Sequence, residues 1–272
     1  MIGLTFLFVI STVCGSSPNW NGLRVTWSMN PFNSWAFDSL PRDLRNKDTD
    51  YQLRDDQCKS AGSKFLGQRY WYKRDPALIL LYDRRGIIAG IQTSVPKSSY
   101  TPSAYLANRH FVDDGNFWTL TAYFVEPSSI CTTGRSQDDL KKQGTGAGLW
   151  LQIGPNPIKD SLKIPTSEEE VKRTSWTQGR CFWTMGSHYW HNVTKDMDCG
   201  DFVPSCLMYN KGRLTAFCFA INADLRSSRY EHPTAEDSKR FIDPVPACFL
   251  TNSTFSSMHV YLIDNPRTSS WC

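Results

Sequence analysis

Four of the five histidines, His188, His191, His232 and His259, fall in the second half of this 272-residue chain, and two of them form the spacing His-x-x-His. Imidazole acts as a metal ligand or as a general base, so both chemistries come first. The helical zinc motif needs histidines at i and i+4 on one face, with a glutamate between them as base. The residues around the pair, GSHYWHN, read as a strand, where positions three apart face opposite sides, so no metal ligand set is assigned. Asp196, Asp198 and Asp201 lack the EF-hand spacing and read as a solvated acidic loop. For nucleophilic catalysis there is no Gly-x-Ser-x-Gly elbow, and no catalytic residue is assigned. A Ser-His-Asp site assembled from distant loops, with His232 or His259 as base, stays open. Asp113-Asp114 and Asp138-Asp139 are chain neighbours and do not present the carboxyl separation of a glycosidase. The run GTGAG (144–148) lacks the lysine and the following helix of a phosphate loop, so no cofactor is expected.

Aromatic residues are the remaining chemical clue: 10 Trp, 11 Tyr and 15 Phe. Two tryptophans recur in one frame, Gly-x-x-Tyr-Trp, as GQRYWYK (67–73) and GSHYWHN (186–192). On a strand His188, Trp190 and Asn192 share one face while Tyr189 takes the other. Asn192 opens the glycosylation sequon Asn-Val-Thr, which demands water and sets Trp190 on the outer face. By the repeat, Arg69, Trp71 and Lys73 lie outward too, and Tyr70 and Tyr189 face the core. An outward Trp needs either a covering segment or a ligand, so Trp71, Trp190, Arg69 and His188 are the candidate ligand-binding residues.

That frame belongs to a longer duplication. Gly22-Leu23 with Asn30-Pro31 recurs as Gly148-Leu149 with Asn156-Pro157, at an offset of 126. LLYDRRGIIAGI (80–91) matches LMYNKGRLTAFC (207–218), FVDD (111–114) matches FIDP (241–244), and TAYFVEP (121–127) matches HVYLIDNP (259–266), each of the last two followed by a cysteine. The chain therefore divides into a signal segment (1–15), a first unit (17–131), a Gly/Thr/Ser-rich linker (132–147) and a second unit (148–272).

The repeat also pairs the cysteines. Cys58 and Cys131 are the only cysteines of the first unit and correspond to Cys181 and Cys272, which predicts Cys58–Cys131 and Cys181–Cys272. Tyr70 to Tyr82 is 12 residues where Tyr189 to Tyr209 is 20, and Phe111 to Tyr123 is 12 where Phe241 to Tyr261 is 20. Each insertion carries one extra cysteine, giving Cys199–Cys248. Cys206 and Cys218 then lie opposite one another across the turn Asn210-Lys211-Gly212.

Strand signals dominate the elements that must hold these residues. ALILLY and IIAGI flank Asp83-Arg84-Arg85-Gly86 as a hairpin buried on both faces, and LRVTWSM, FWTLTAYFV and MHVYLI carry the aromatic and β-branched residues of pleated surfaces. Only SEEEVKR (167–173) reads as a short helix. The expected fold is mainly β: two homologous, pseudo-twofold-related β-sheet units of four to six strands each, sandwich-like and stapled by disulfides.

LTFLFVISTV (4–13), followed by small residues, reads as an export signal that removes Cys14, leaving an even set of eight cysteines suited to an oxidising compartment. Sequons at Asn192 and Asn252 fit the same route. No later segment is apolar and long enough to span a membrane, and a net charge of +4 is too dilute to imply nucleic acid as partner. GLRVTWSMNPF, RCFWTMGSHYW and DPVPACF resemble stretches of an uncharacterised family of secreted invertebrate proteins. That resemblance spans most of the chain after the leader and implies a secreted invertebrate product, with no fold, activity or site attached. The function expected is an extracellular, non-enzymatic protein that binds a ligand or protein partner. A secreted hydrolase using a second-half histidine, and a structural or venom component without a defined pocket, are the alternatives.

Overall fold

The two copies of Gly-x-x-Tyr-Trp show why the repeat holds its glycine. Gly67 and Gly186 have φ of 90° and 94°, and a Cβ on Gly67 would lie 2.6 Å from the carbonyl oxygen of Tyr82; at Gly186 the carbonyl of Tyr209 is closer still. Tyr70 and Tyr189 both face the core, where each meets a second tyrosine edge-on: Tyr82 at 5.6 Å and Tyr209 at 5.2 Å between ring centroids. The motif is thus a packing unit, used twice.

The computed structural model describes residues 19–26, 28, 30, 32–33, 36–252 and 254–272. The export signal with Cys14, the side chain of Asn252 and Ser253 of its sequon lie outside the described residues. The strands in chain order are β1 (Arg24–Thr26), β2 (Asp38–Ser39), β3 (Tyr51–Asp56), β4 (Gln68–Tyr72), β5 (Asp75–Tyr82), β6 (Ile88–Pro96), β7 (Val112–Asp114) and β8 (Phe117–Tyr123). They continue as β9 (Leu149–Gln152), β10 (Ser161–Ile164), β11 (Trp176–Phe182), β12 (Gly186–His191), β13 (Ser205–Asn210), β14 (Arg213–Ile221) and β15 (Ser256–Tyr261). Helices are short: α1 (Ala104–Arg109), α2 (Pro127–Ile130), α3 (Gln137–Gln143), α4 (Glu168–Val171), α5 (Ala235–Ser238), α6 (Phe249–Asn252) and α7 (Pro266–Ser269). The fold is mainly β, as expected, and SEEEVKR does form a helix, α4. Residues 132–147, the expected linker, carry α3, started by a Ser136–Asp139 capping box.

Both sheets are antiparallel, and their orders match strand for strand. One runs β10-β9-β8-β6-β5-β4-β3, with β7 also paired to β8, and the other runs β2-β1-β15-β14-β13-β12-β11. The expected hairpins are β5–β6 and β13–β14. In the second, Lys211 and Gly212 have φ of 50° and 77°, the left-handed pair that matches strand twist in a two-residue turn.

Strand number exceeds the sequence expectation because the halves exchange edges. β1 and β2, from the first half, complete the second-half sheet next to β15, while β9 and β10, from the second half, complete the first-half sheet next to β8. Each chain segment then returns to its own half by equivalent bonds. Leu44 N–H donates to Gly86 O and Ile88 N–H to Arg42 O; Glu168 N–H donates to Gly212 O and Leu214 N–H to Thr166 O. The hydroxyls of Tyr82 and Tyr209 donate to the carbonyls of Pro41 and Pro165.

The sheets pack face to face over one apolar core. Leu78, Leu80, Tyr82 and Ile91 of the first sheet meet Tyr189, Leu207, Phe217 and Val260 of the second, and the exchanged strands add Val25, Leu149 and Leu151. The outer faces also hold apolar clusters: Ile79, Leu81, Tyr123 and Trp150 on the first sheet, and Trp190, Met208, Phe241 and Tyr261 on the second. Disulfides join Cys58–Cys131, Cys181–Cys272, Cys199–Cys248 and Cys206–Cys218, the pairs drawn from the repeat. Among the described residues no helix is long and apolar enough to cross a membrane.

Candidate functional site

Strand parity holds at the four candidate residues, but open water does not reach three of them. Arg69 and Trp71 on β4 and His188 and Trp190 on β12 all point away from the inter-sheet core; Arg69 (0% exposed), His188 (1%) and Trp190 (6%) are nevertheless buried, and Trp71 is half-buried. The two insertions form the cover over Trp190. Phe202, from the first, packs on Trp190 at 5.4 Å between centroids, and Phe249 and Phe255, at the second, pack on Phe202 at 4.9 and 5.6 Å. The Trp190 indole N–H donates to Phe241 O at 3.0 Å. Asn192 is exposed all the same, because β12 ends at His191 and Asn192 turns to a φ of 51°, which breaks the alternation that linked it to Trp190. Its sequon is therefore open to modification.

In the first half, which lacks the insertions, charge provides the cover. Arg69 forks onto Asp114, Arg54 reaches the same carboxylate at 2.8 Å, and the Arg54 guanidinium lies over Trp71 and Phe117 at 5.5 and 5.4 Å. Burial pushes the Asp114 carboxyl up, yet hydrogen bonding and charge from Arg69 and Arg54 outweigh it and hold it below its ordinary value. Asp113 pairs instead with Lys97 at 2.7 Å, so the two neighbours are not a shared acid pair.

The histidines are separated as their spacing requires. His191 lies on the opposite face of β12 from His188 and meets Ser175 Oγ at 2.8 Å. Burial and the neighbouring His259 push His188 down to about 3, so its ring is neutral; Nδ1–H donates to Arg180 O at 3.2 Å, and Nε2 is buried with no partner among the described residues. His259 contacts Glu231 through Nδ1 at 2.6 Å, and both rings line a cavity of about 30 Å³, the size of a water site. His232 is half-exposed, and Asp224 and Ser256 approach the same nitrogen, Nδ1, at 3.7 and 3.5 Å. A triad needs acid and nucleophile on opposite nitrogens. Ser256 is moreover committed to Ala223 O and to the Leu225 N–H.

Sequence reasoning missed the site that is open. Phe32 (72% exposed), Trp183 (39%) and Trp271 (57%) form a row, with ring centroids 5.9 Å apart from Phe32 to Trp183 and 6.1 Å from Trp183 to Trp271. The Cys181–Cys272 bridge anchors both tryptophans, since Trp183 follows one half-cystine by two residues and Trp271 directly precedes the other. Thr184 N–H donates to Ser270 O at 3.0 Å, and Asn210 holds the terminal segment through Ser269 O and the Trp271 N–H. The Trp271 indole N–H donates to Thr268 O at 2.6 Å, while more than half of the residue's surface stays exposed among the described residues. Beside the row runs a groove of about 500 Å³, lined by Phe32, Arg24, Asp38, Asp264, Asn265 and Arg267. At the other disulfide of the repeat, Cys58–Cys131, Ile158 stands in the place of Phe32 and buried Ile130 in the place of Trp271, and the groove of about 480 Å³ there is lined by Gln57, Ser60, Ser63, Asn156 and Ile158. The signal available in the sequence was aromatic residues flanking a predicted disulfide. No protein-family model, no curated protein and no solved structure matches the chain.

Proposed function

We propose that the protein is a secreted, non-enzymatic binding protein that holds an extended neutral glycan along Phe32, Trp183 and Trp271 and in the groove beside them. The observation that carries this reading is the row of three exposed rings on a disulfide-anchored base. Contiguous exposed apolar surface of this kind is characteristic of binding sites. Sugar rings present apolar C–H faces that stack on aromatic planes, and their hydroxyls suit the carboxylate, amide and guanidinium groups of Asp38, Asp264, Asn265 and Arg267. Four disulfides and an apolar N-terminal segment support secretion, as does the resemblance to secreted invertebrate proteins. The hydrolase alternative has less support, because among the described residues no serine sits opposite the acid at His232 and the cavity at His259 admits only a water-sized guest.

The test is a glycan array followed by calorimetry with the neutral oligosaccharide that binds. Trp183→Ala and Trp271→Ala should each weaken binding about tenfold, or 1.4 kcal/mol, while Trp71→Ala leaves it unchanged. Capture of proline-rich peptides without glycans, or equal affinity in the tryptophan variants, would overturn the proposal.

A further inference from the structure

Trp190, Cys206, Cys218 and His259 lie directly opposite one another across β12, β13, β14 and β15, and His188 is the next residue outward on β12. A ring nitrogen of His188, Sγ of Cys206 and a ring nitrogen of His259 fall within 4.8 Å of one another. A tetrahedral zinc ion with bonds of about 2.0 to 2.3 Å brings its ligand atoms to separations of about 3.3 to 3.8 Å, so a movement of about 1 Å would close the set. Both Nδ1 atoms are already engaged, His188 with Arg180 O and His259 with Glu231, which leaves Nε2 of each ring as the lone pair to offer. A carboxylate behind a ligating histidine is the usual outer shell of a zinc site. Glu231 is itself held by Thr26 and Ser257, at 3.4 Å each.

The first half is an internal control. At the positions equivalent by strand register to His188, Cys206, Cys218 and His259 stand Arg69, Ile79, Gln92 and Thr121. There Arg69 is neutralised by Asp114, and Gln92 donates to Thr121 at 2.9 Å. The same frame therefore carries a guanidinium–carboxylate pair and an amide–hydroxyl pair in one copy, with Arg69 Nε and Gln92 Oε1 unpartnered among the described residues, and in the other two histidines, two sulfurs and an unpartnered imidazole nitrogen, the atom types that zinc takes as ligands.

We propose that His188, His259, Cys206 and Cys218 form a Zn²⁺ site whenever the Cys206–Cys218 bridge is open, so that bridge and metal are alternative occupants of one chamber. Two molecules of a small thiol open the bridge: their own disulfide forms as the Cys206–Cys218 bond breaks, and each protein sulfur takes a proton. Zn²⁺ then binds both sulfurs as thiolates and releases those two protons to solvent.

The test treats the intact protein with graded amounts of a small thiol, with and without Zn²⁺. Native mass spectrometry then counts the metal, and alkylation with peptide mapping reports each cysteine. One Zn²⁺ per chain is expected, with Cys206 and Cys218 shielded from alkylation by the metal and the six cysteines of the other three bridges not. Glu231→Gln should lower Zn²⁺ affinity about 10- to 100-fold, and His188→Gln or His259→Gln should abolish retention. Should a variant fail to fold, the shielding pattern of the wild-type chain decides. Alkylation indifferent to Zn²⁺, retention undiminished in folded histidine variants, or a Cys206–Cys218 bridge that stays closed until the other three have opened would each overturn the proposal.

Discussion

Expressed alone, residues 17–131 should not fold as a monomer. Removing the second half strips β9 and β10 from the first sheet, and with them Leu149, Trp150, Leu151 and Ile164, all buried. Burying each such side chain is worth about 1.5 to 3 kcal/mol, so the four together amount to about 6 to 12 kcal/mol. That is the size of a whole domain's stability, about 5 to 15 kcal/mol. The bare edge of β8 has one natural complement in the isolated piece, the β1–β2 segment of another copy, because β1 corresponds to β9 by the repeat. The expected species is a twofold dimer in which each copy lends its first two strands to the other. Light scattering with urea denaturation at several concentrations reads this directly: a dimer gives a midpoint that rises with concentration. A folded monomer with a concentration-independent midpoint would refute the reasoning.

Three further outcomes are expected. Asp114→Asn leaves the fully buried Arg69 with Asp55, at 3.6 Å and without the two-pronged geometry, as its remaining counter-ion and should cost about 3 to 5 kcal/mol in urea denaturation; because Asp114 is held below its ordinary pKa in the fold, its contribution is complete above the ordinary carboxylate range, near pH 4, and is lost as pH falls through the lowered value. Gly186→Ala forces a Cβ against the Tyr209 carbonyl at positive φ and should destabilise by about 1 to 3 kcal/mol, measured by calorimetry, with Gly67→Ala behaving alike. Replacing Cys199 and Cys248 by serine should cost about 2 to 5 kcal/mol and loosen the cover on Trp190, seen as a red shift of tryptophan emission.

Much of the fold was legible because the chain states it twice. The alternation in GQRYWYK and GSHYWHN set Tyr70 and Tyr189 inward, and the matched cysteines gave the bridge pattern. The strand exchange was not legible, since β1 and β9 carry the same pattern and either fits beside β8 or β15; only packing in three dimensions selects the partner. Burial of Trp190 escaped for a related reason. The acidic stretch of the first insertion reads as a solvated loop, and nothing local announces that Phe202, Phe249 and Phe255 fold back as a layer. The open aromatic row was hidden because its members, at positions 32, 183 and 271, lie far apart in the chain and meet only in the folded molecule, beside the Cys181–Cys272 bridge.

The exchanged edges bind the two halves mechanically as well as energetically. A protease that nicked the stretch around α3 would produce two polypeptides, each still threaded into the sheet of the other, and the cut protein would migrate as one particle until denatured. Neither half can open alone without tearing strands from its neighbour, so heat should dismantle both in a single step.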